Sequence, residues 1–145
     1  MKNILVAIDF DQKEFKLVEY AEKLAWDYDA KVWLVHCAAP DTDFVSMKAS
    51  SKYERDARAD KLKEEHKHLR NLANDLEGKG IEVEALLIQG STVQTIMDKA
   101  ADLKVDLIIT GLHEHGFFYN AMFGNTSLAI LKKTNIPVLT IPVDA

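Results

Sequence analysis

The sequence is poor in the residues that mark disulfide-bonded, fibrous and low-complexity proteins. Its 145 residues include one cysteine, three prolines and six glycines. A lone thiol, Cys37, cannot form an intrachain disulfide framework, and so few glycines and prolines exclude collagen-like or linker-rich chains. With 48% hydrophobic and 28% charged residues, the chain has the composition of one globular domain that folds without a disulfide or a structural metal.

Long hydrophobic runs and an excess of positive charge are also lacking. The run Ile4–Ile8 ends at Asp9 after five apolar residues, which is too short for a signal-peptide core or a membrane span. We therefore expect a cytoplasmic protein with a reduced thiol. Because 18 Lys and Arg residues face 23 Asp and Glu residues, for a net charge of −5, neither nucleic acid nor a membrane surface is an expected partner.

Short apolar runs alternate with longer amphipathic stretches, a pattern typical of a parallel sheet covered by helices. The predicted strands are Ile4–Ile8, Val32–Val35, Ile81–Ile88, Leu107–Ile109 and Val138–Val143. Helices are predicted over about 12–29, from Ser51 to Gly78, from Ser91 to Ala100, and from about Asn125 to Lys133. With right-handed crossovers, residues 1–145 form a single α/β domain, a doubly wound five-stranded parallel sheet of order 3-2-1-4-5 with helices on both faces.

Helical spacing of apolar residues predicts which side of each helix meets the sheet. For the first helix these residues are Phe15, Val18, Ala21, Leu24, Ala25 and Tyr28, with Asp11 and Glu14 at its N-terminus as a cap. For the second they are Leu62, His66, Leu69, Ala73 and Leu76, and for the third Val93, Ile96, Met97 and Ala100.

In such a sheet, ligands bind outside the carboxyl ends of strands one and four, where the winding reverses. Asp9 ends strand one, where it either closes a turn or contacts a ligand. Strand four is followed by a loop with Gly111, Gly116 and Gly124, the last at a predicted helix N-terminus. Glycines there suit ordinary turns, and they also suit a backbone cradle for an anion.

Other nucleotide and phosphate motifs do not fit the chain. Phe117 and Phe118 stand where a Walker A loop needs Lys and Ser or Thr, and no G-x-G-x-x-G follows strand one. A phosphorelay receiver needs an Asp at the end of strand three and a Lys at the end of strand five, and neither is present.

Over its whole length the chain resembles the universal stress protein family. The resemblance is carried by Ile4–Asp9, Leu34–His36, Gly90-Ser91 and Asn135–Pro142, and by Gly111 and Gly124, which match the first and third glycines of the ATP-binding motif G-x-x-G-x9-G-[ST]. It implies a stress-response module that binds ATP or AMP, with Mg²⁺ accompanying the nucleotide. It also implies a homodimer formed through the last strand, Val138, Leu139, Thr140 and Ile141.

The resemblance also implies which residues would form the nucleotide site. The backbone of Gly111, Gly124, Asn125 and Thr126 would hold phosphates, and His113, Glu114 and Gly116 would lie in the same loop. The adenosine would lie by Ala7, Ile8 and Asp9 at the end of strand one and by Cys37 at the end of strand two.

Two residues depart from that motif. Glu114 replaces its second glycine and Asn125 its Ser or Thr. A carboxylate about 6 Å from a phosphate charge costs roughly 3 kcal/mol at an effective dielectric of about 20, unless a divalent cation bridges the two groups. Asn caps a helix N-terminus as well as Ser does, so the second change is milder.

Other reactive residues favour structural interpretations. Consecutive side chains in His113-Glu114-His115 diverge, which disfavours a dedicated metal site. His36 is expected to be a hydrogen-bonded core histidine, and Cys37 an inert thiol because no basic neighbour stands beside it in the sequence. No nucleophile, base and orienting partner occur together, so no catalytic residue is predicted.

Three functions remain open. The chain is a nucleotide-binding regulator, a dimeric interaction protein of the same family that binds no nucleotide, or a slow ATP hydrolase with a metal near Asp9 and Glu114.

Overall fold

The fold alternates strands and helices along the chain. A computed structural model describes residues 1–10, 13–38, 52–89, 92–112 and 124–143, with the backbone alone at 38, 52–55, 57, 58, 92 and 124–128. The strands are β1 (Asn3–Ala7), β2 (Lys31–Ala38), β3 (Val83–Gln89), β4 (Leu107–Leu112) and β5 (Val138–Pro142). The helices are α1 (Glu14–Tyr28), α2 (Lys52–Gly78), α3 (Thr92–Asp102) and α4 (Gly124–Lys133).

All five strands form one parallel sheet in the order β3-β2-β1-β4-β5, which confirms the predicted doubly wound topology. The strand β1 lies at the centre, with Ile4 opposite Val32 on one side and opposite Leu107 on the other. At the amino edge, the Asp106 carboxylate accepts hydrogen bonds from the backbone N–H groups of Lys2 and Asn3 at 2.7 and 2.9 Å. These bonds fix where β1 begins relative to β4.

A hydrophobic core covers each face of the sheet. On one face, α1 and α2 pack on Ile4, Val6 and Ile8 of the first strand and its extension. On the other, α3 and α4 contribute Ile96, Ala100 and Ile130 against Leu5 and Ile108. Helices therefore lie on both faces, and the side-chain alternation of a strand decides which core each residue enters.

The buried face of α1 differs from the predicted one. Leu17, Ala21 and Ala25 are buried, while Val18 and Leu24 are only partly buried against the same core. Phe15 is 57% exposed and Tyr28 is 54% exposed, so placing them on the packed face was wrong. Phe15 lies about 200° around the helix from Leu17, and Tyr28 is the last residue of α1.

The face of α2 is predicted correctly for Leu69, Ala73 and Leu76 and wrongly for one histidine, while Leu62 is only half-buried. Leu69, Ala73 and Leu76 are buried, but His66 is exposed and Glu65 is half-buried instead. Around the helix, Glu65 lies about 40° from Leu69 and His66 about 60° away on the opposite side. The sheet therefore receives the carboxylate rather than the imidazole.

The remaining elements agree with their predictions within a few residues at each end. In α3, Ile96 and Ala100 are buried while Val93 and Met97 are partly buried. The edge strand β3 pairs with β2 and exposes Glu84. Asp11 and Ser51, the predicted helix caps, lie outside the described residues. Within the described part of the chain, no helix combines the length and apolarity that crossing a membrane requires.

The two leucines of α1 provide a test of this packing. We expect Leu17→Ala to lower the free energy of unfolding by about 2–5 kcal/mol, because it opens a cavity in a closed core. Leu24→Ala should cost less, about 1–2 kcal/mol, because its side chain is already partly solvated. Urea denaturation of both variants measures the difference, and equal losses would contradict the observed face of α1.

Candidate functional site

The central strands part at the carboxyl edge of the sheet. Pairing between β1 and β4 ends at Val6 opposite Ile109, whereas β4 continues to Leu112 in register with β5. The chain leaves β1 toward α1 on one face and leaves β4 toward α4 on the other. This is the topological switch point at which open α/β sheets form a ligand crevice.

The end of β1 presents three predicted site residues in different ways. Ala7 is half-buried on the α3–α4 face, and Asp9 is exposed. Ile8 is 3% exposed and lies in the α1–α2 core. Its N–H donates to the Val35 carbonyl at 2.8 Å, and its carbonyl lies 2.7 Å from His36 Nδ1. A ligand at this edge would thus meet Ala7 and Asp9 rather than Ile8.

Gly111 has a packing role that the structure makes explicit. A Cβ atom at this position would lie 3.2 Å from a Val143 methyl group and 3.6 Å from a Leu17 methyl group. The absence of a side chain therefore lets α1 and the chain after β5 close over the end of β4.

The helix α4 begins at Gly124, with Asn125 and Thr126 in its first turn. The backbone N–H groups of a first turn have no partner within the helix, and the helix dipole adds partial positive charge there. Since α4 connects β4 to β5, its N-terminus lies on the carboxyl side of the sheet. His113, Glu114 and Gly116 lie outside the described residues.

Cys37 is half-buried among the apolar residues of the α3–α4 face. Burial raises the pKa of its thiol to about 11, because a thiolate loses hydration there. The expectation of an unreactive thiol agrees with this environment.

His36 is the hydrogen-bonded core histidine that the sequence predicts. The Ile8 carbonyl can only accept, so Nδ1 of His36 is assigned the proton. Its Nε2 lies 3.3 Å from Glu65 Oε2, with side chains only 13% and 19% exposed.

A second histidine–carboxylate pair lies beside the first, and the sequence analysis missed both carboxylates. His68 Nε2 contacts Glu14 Oε1, and the Phe10 ring packs against both imidazoles. We call Phe10, Glu14, His36, Glu65 and His68 the ring clamp. The only sequence signal for it was a carboxylate, Glu65, four residues before Leu69 on the inner face of α2.

The ring clamp does not resemble a metal centre. Across the described ranges, no three His, Cys, Asp or Glu side chains are grouped so that they could hold a metal ion. His113-Glu114-His115 falls outside those ranges and stays a sequence-based hypothesis.

A five-stranded doubly wound parallel sheet in the order β3-β2-β1-β4-β5 defines the structural class of this protein. The sequence model of the universal stress protein family matches residues 1–142. The chain therefore belongs to the universal stress protein family.

Individual relatives agree with this assignment. Universal stress protein MJ0577 of Methanocaldococcus jannaschii is 33% identical over 82 residues, which are 56% of this chain and 51% of that protein. Universal stress protein Slr1230 of Synechocystis is 35% identical over 65 residues, 45% of this chain and 23% of that protein. The matched segments thus span about half or less of these relatives.

Solved structures of the family share the fold. That of MJ0577 aligns with a TM-score of 0.77 and 26% identity over 99% of this chain and 97% of its own. An Arabidopsis thaliana family protein with AMP bound aligns with a TM-score of 0.66 and 18% identity, over 100% of this chain and 94% of that protein. The Archaeoglobus fulgidus universal stress protein in complex with dAMP aligns with a TM-score of 0.64 and 19% identity, over 97% of this chain and 98% of that protein.

The raised pKa of Cys37 predicts slow alkylation of the folded protein. At pH 8 about one thiol in a thousand is ionised when the pKa is about 11, against about a quarter at the ordinary value near 8.5. The higher nucleophilicity of a more basic thiolate offsets part of this difference. We expect iodoacetamide to react at least tenfold more slowly with native protein than with the urea-unfolded chain.

The same shift has a defined effect on stability. The pKa of the Cys37 thiol is higher in the folded protein than in the unfolded chain. Its contribution to the free energy of unfolding is therefore fully present below about pH 8.5 and is lost as the pH rises toward about 11. Equal alkylation rates in native and unfolded protein would contradict the buried position of Cys37.

Proposed function

We propose that this protein is a cytoplasmic regulatory module that binds an adenine nucleotide, AMP or ATP, at the carboxyl ends of β1 and β4. The observation that carries the proposal is the parting of these two strands beyond Val6 and Ile109, with the N-terminus of α4 returned to the same edge. Family members of the same fold have been solved with AMP and with dAMP, which supports an adenosine monophosphate moiety as the ligand.

The proposed ligand lies along the carboxyl edge of the sheet, with its adenosine near the ends of β1 and β2 and its phosphates near the N-terminus of α4. Ala7 and Asp9 border the adenosine together with Cys37, whose neighbours are apolar. The first-turn backbone of α4, at Gly124, Asn125 and Thr126, binds the phosphates through its N–H groups. Gly111 and Gly116 shape the loop between these regions, and His113 lies beside the phosphates.

Glu114 sets the preference among nucleotides. Its carboxylate replaces a motif glycine, so it repels a triphosphate more strongly than a monophosphate. A Mg²⁺ ion bound with ATP would convert this repulsion into coordination. We therefore propose that AMP binds without a metal and that ATP requires Mg²⁺.

The function is regulation rather than turnover. In the parts of the chain that the structure describes, the thiol at the crevice is protonated at neutral pH and His36 is engaged by Ile8 and Glu65. An ATP hydrolase would need a base and a metal in the loop that carries Glu114.

Nucleotide binding is tested by a thermal shift measurement. AMP at about 100 times its Kd should stabilise the protein by about 2.7 kcal/mol, which corresponds to about 5–10 °C in Tm for a domain of this size. GMP serves as the matched control, because it has the same phosphate and a different base.

Two variants of Glu114 separate charge from backbone geometry. Glu114→Gly should raise ATP affinity about tenfold in the absence of Mg²⁺, and Glu114→Gln should give the same gain if charge is the cause. If only the glycine variant gains, backbone freedom is the cause. No response of the wild-type protein to AMP, ATP or Mg-ATP would refute the proposed function in favour of an interaction protein that binds no nucleotide.

We also propose that β5 forms a homodimer interface. The bonds from Ile108 N–H to Pro137 O and from Val143 N–H to Leu112 O show that odd-numbered residues of β5 face β4. In a parallel strand the intervening residues, Val138 and Thr140, then turn both backbone polar groups to the open edge. Pro142 occupies the third outward position and has no N–H to offer.

The outward amide of Thr140 tests this interface. Thr140→Pro removes one edge donor without touching a β4 bond, so we expect the protein to become monomeric in analytical ultracentrifugation at micromolar concentration. Leu139→Lys adds a repelling charge at a half-buried position and should have the same effect. Ile141 is unsuitable because it is buried within the chain itself. An unchanged mass for both variants would exclude pairing through β5.

A further inference from the structure

Phe10 adopts a backbone conformation that its side chain disfavours. Its φ angle is +58°, in the left-handed region, where the Cβ of an L-residue crowds the backbone. Asp29 and Lys104 share this region, but Asp29 directly follows α1 and Lys104 lies two residues after the end of α3, where left-handed caps are common. Phe10 follows a strand, so helix capping does not account for it.

The Phe10 ring is held by the two imidazoles of the ring clamp. Its centroid lies 4.2 Å from that of His36, with the planes tilted by 49°. It lies 5.2 Å from that of His68 in an edge-to-face arrangement. The 5.2 Å separation is typical of favourable aromatic pairs, and the 4.2 Å separation is a closer contact than their usual range. The ring is therefore packed tightly against both imidazoles, which opposes the backbone strain.

The imidazoles are in turn held from three elements. His36 of β2 is bonded to the Ile8 carbonyl and faces Glu65 of α2, and His68 of α2 contacts Glu14 of α1. Glu14 Oε2 is buried and accepts no hydrogen bond from the described residues, whereas the buried Glu65 Oε2 lies 3.3 Å from His36 Nε2. Buried polar atoms without partners lower stability and often mark a functional constraint, so packing alone is a poor explanation of the cluster.

We propose that Phe10 is a positioning residue, and that the ring clamp maintains its left-handed backbone so that Asp9 leaves β1 toward the crevice. This inference rests on the proposed nucleotide site, of which Asp9 forms one border. Backbone strain is retained at functional positions when the surrounding structure over-determines it. Here α1, α2 and β2 together hold one residue at the mouth of the site.

A comparison of Phe10→Gly with Phe10→Ala separates positioning from packing. Both variants remove the ring, but glycine adopts a positive φ without a penalty and alanine does not. We expect Phe10→Ala to weaken AMP binding at least tenfold in titration calorimetry, while Phe10→Gly stays within threefold of wild type. If Phe10 only fills space, Phe10→Gly should weaken AMP binding at least as much as Phe10→Ala does. That result would overturn the proposal. Phe15→Ala is the control, since Phe15 is an exposed aromatic residue of α1.

A double-mutant cycle tests the role of the clamp. His68→Ala should weaken AMP binding in the wild-type background and change it less than twofold in the Phe10→Gly background, where no strain remains to be held. Equal effects in both backgrounds would show that His68 does not act through Phe10. Urea denaturation of each variant confirms that the compared proteins are folded.

A measurement without nucleotide keeps this inference separate from the proposed function. A residue with positive φ gives a strong nuclear Overhauser effect between its own amide and α protons. We expect this signal at residue 10 in wild type and its loss in Phe10→Ala. If no nucleotide binds wild type, the proposed function fails while this result still decides the role of the clamp. Retention of the signal in Phe10→Ala would refute it.

Discussion

Complete burial of the central strand is the constraint on which the rest of the structure depends. Ile4, Leu5 and Val6 each have no exposed surface, because β1 is paired on both edges and covered on both faces. Alternate residues of this one strand enter the two separate cores. A strand in that position must be apolar throughout. Polar side chains of this segment therefore lie at or beyond the two ends of β1.

The two ends of β1 are used differently. At the amino end, Asp106 accepts two backbone hydrogen bonds that lower the pKa of its carboxyl group, and the contact serves register. At the carboxyl end, pairing with β4 stops and the chain turns sharply at Phe10. Regular pairing at the amino end of β1 thus contrasts with the end of pairing at its carboxyl end.

The crevice itself has two unlike sides. Toward α1 and α2, the ring clamp and Ile8 fill the space with tightly held side chains. Toward α3 and α4, Ala7 and Cys37 contribute smaller, partly buried side chains. The ionisable clamp residues thus lie on the side of α1 and α2, which contribute Glu14, Glu65 and His68.

The sequence by itself determined the layer architecture, the strand order and most of the core. Its apolar runs are too short for helices and too continuous for exposed strands, and right-handed crossovers leave few arrangements for five of them. The tertiary structure decided the details that depend on how each helix is rotated about its own axis. Glu65 rather than His66 faces the sheet, and Leu17 rather than Phe15 enters the core. The rotation of each helix is set by the packing of all its apolar side chains against the twisted sheet. The ring clamp could not be predicted for the same reason: its members come from α1, α2, β2 and the end of β1, and only the packing of those elements brings the five side chains together.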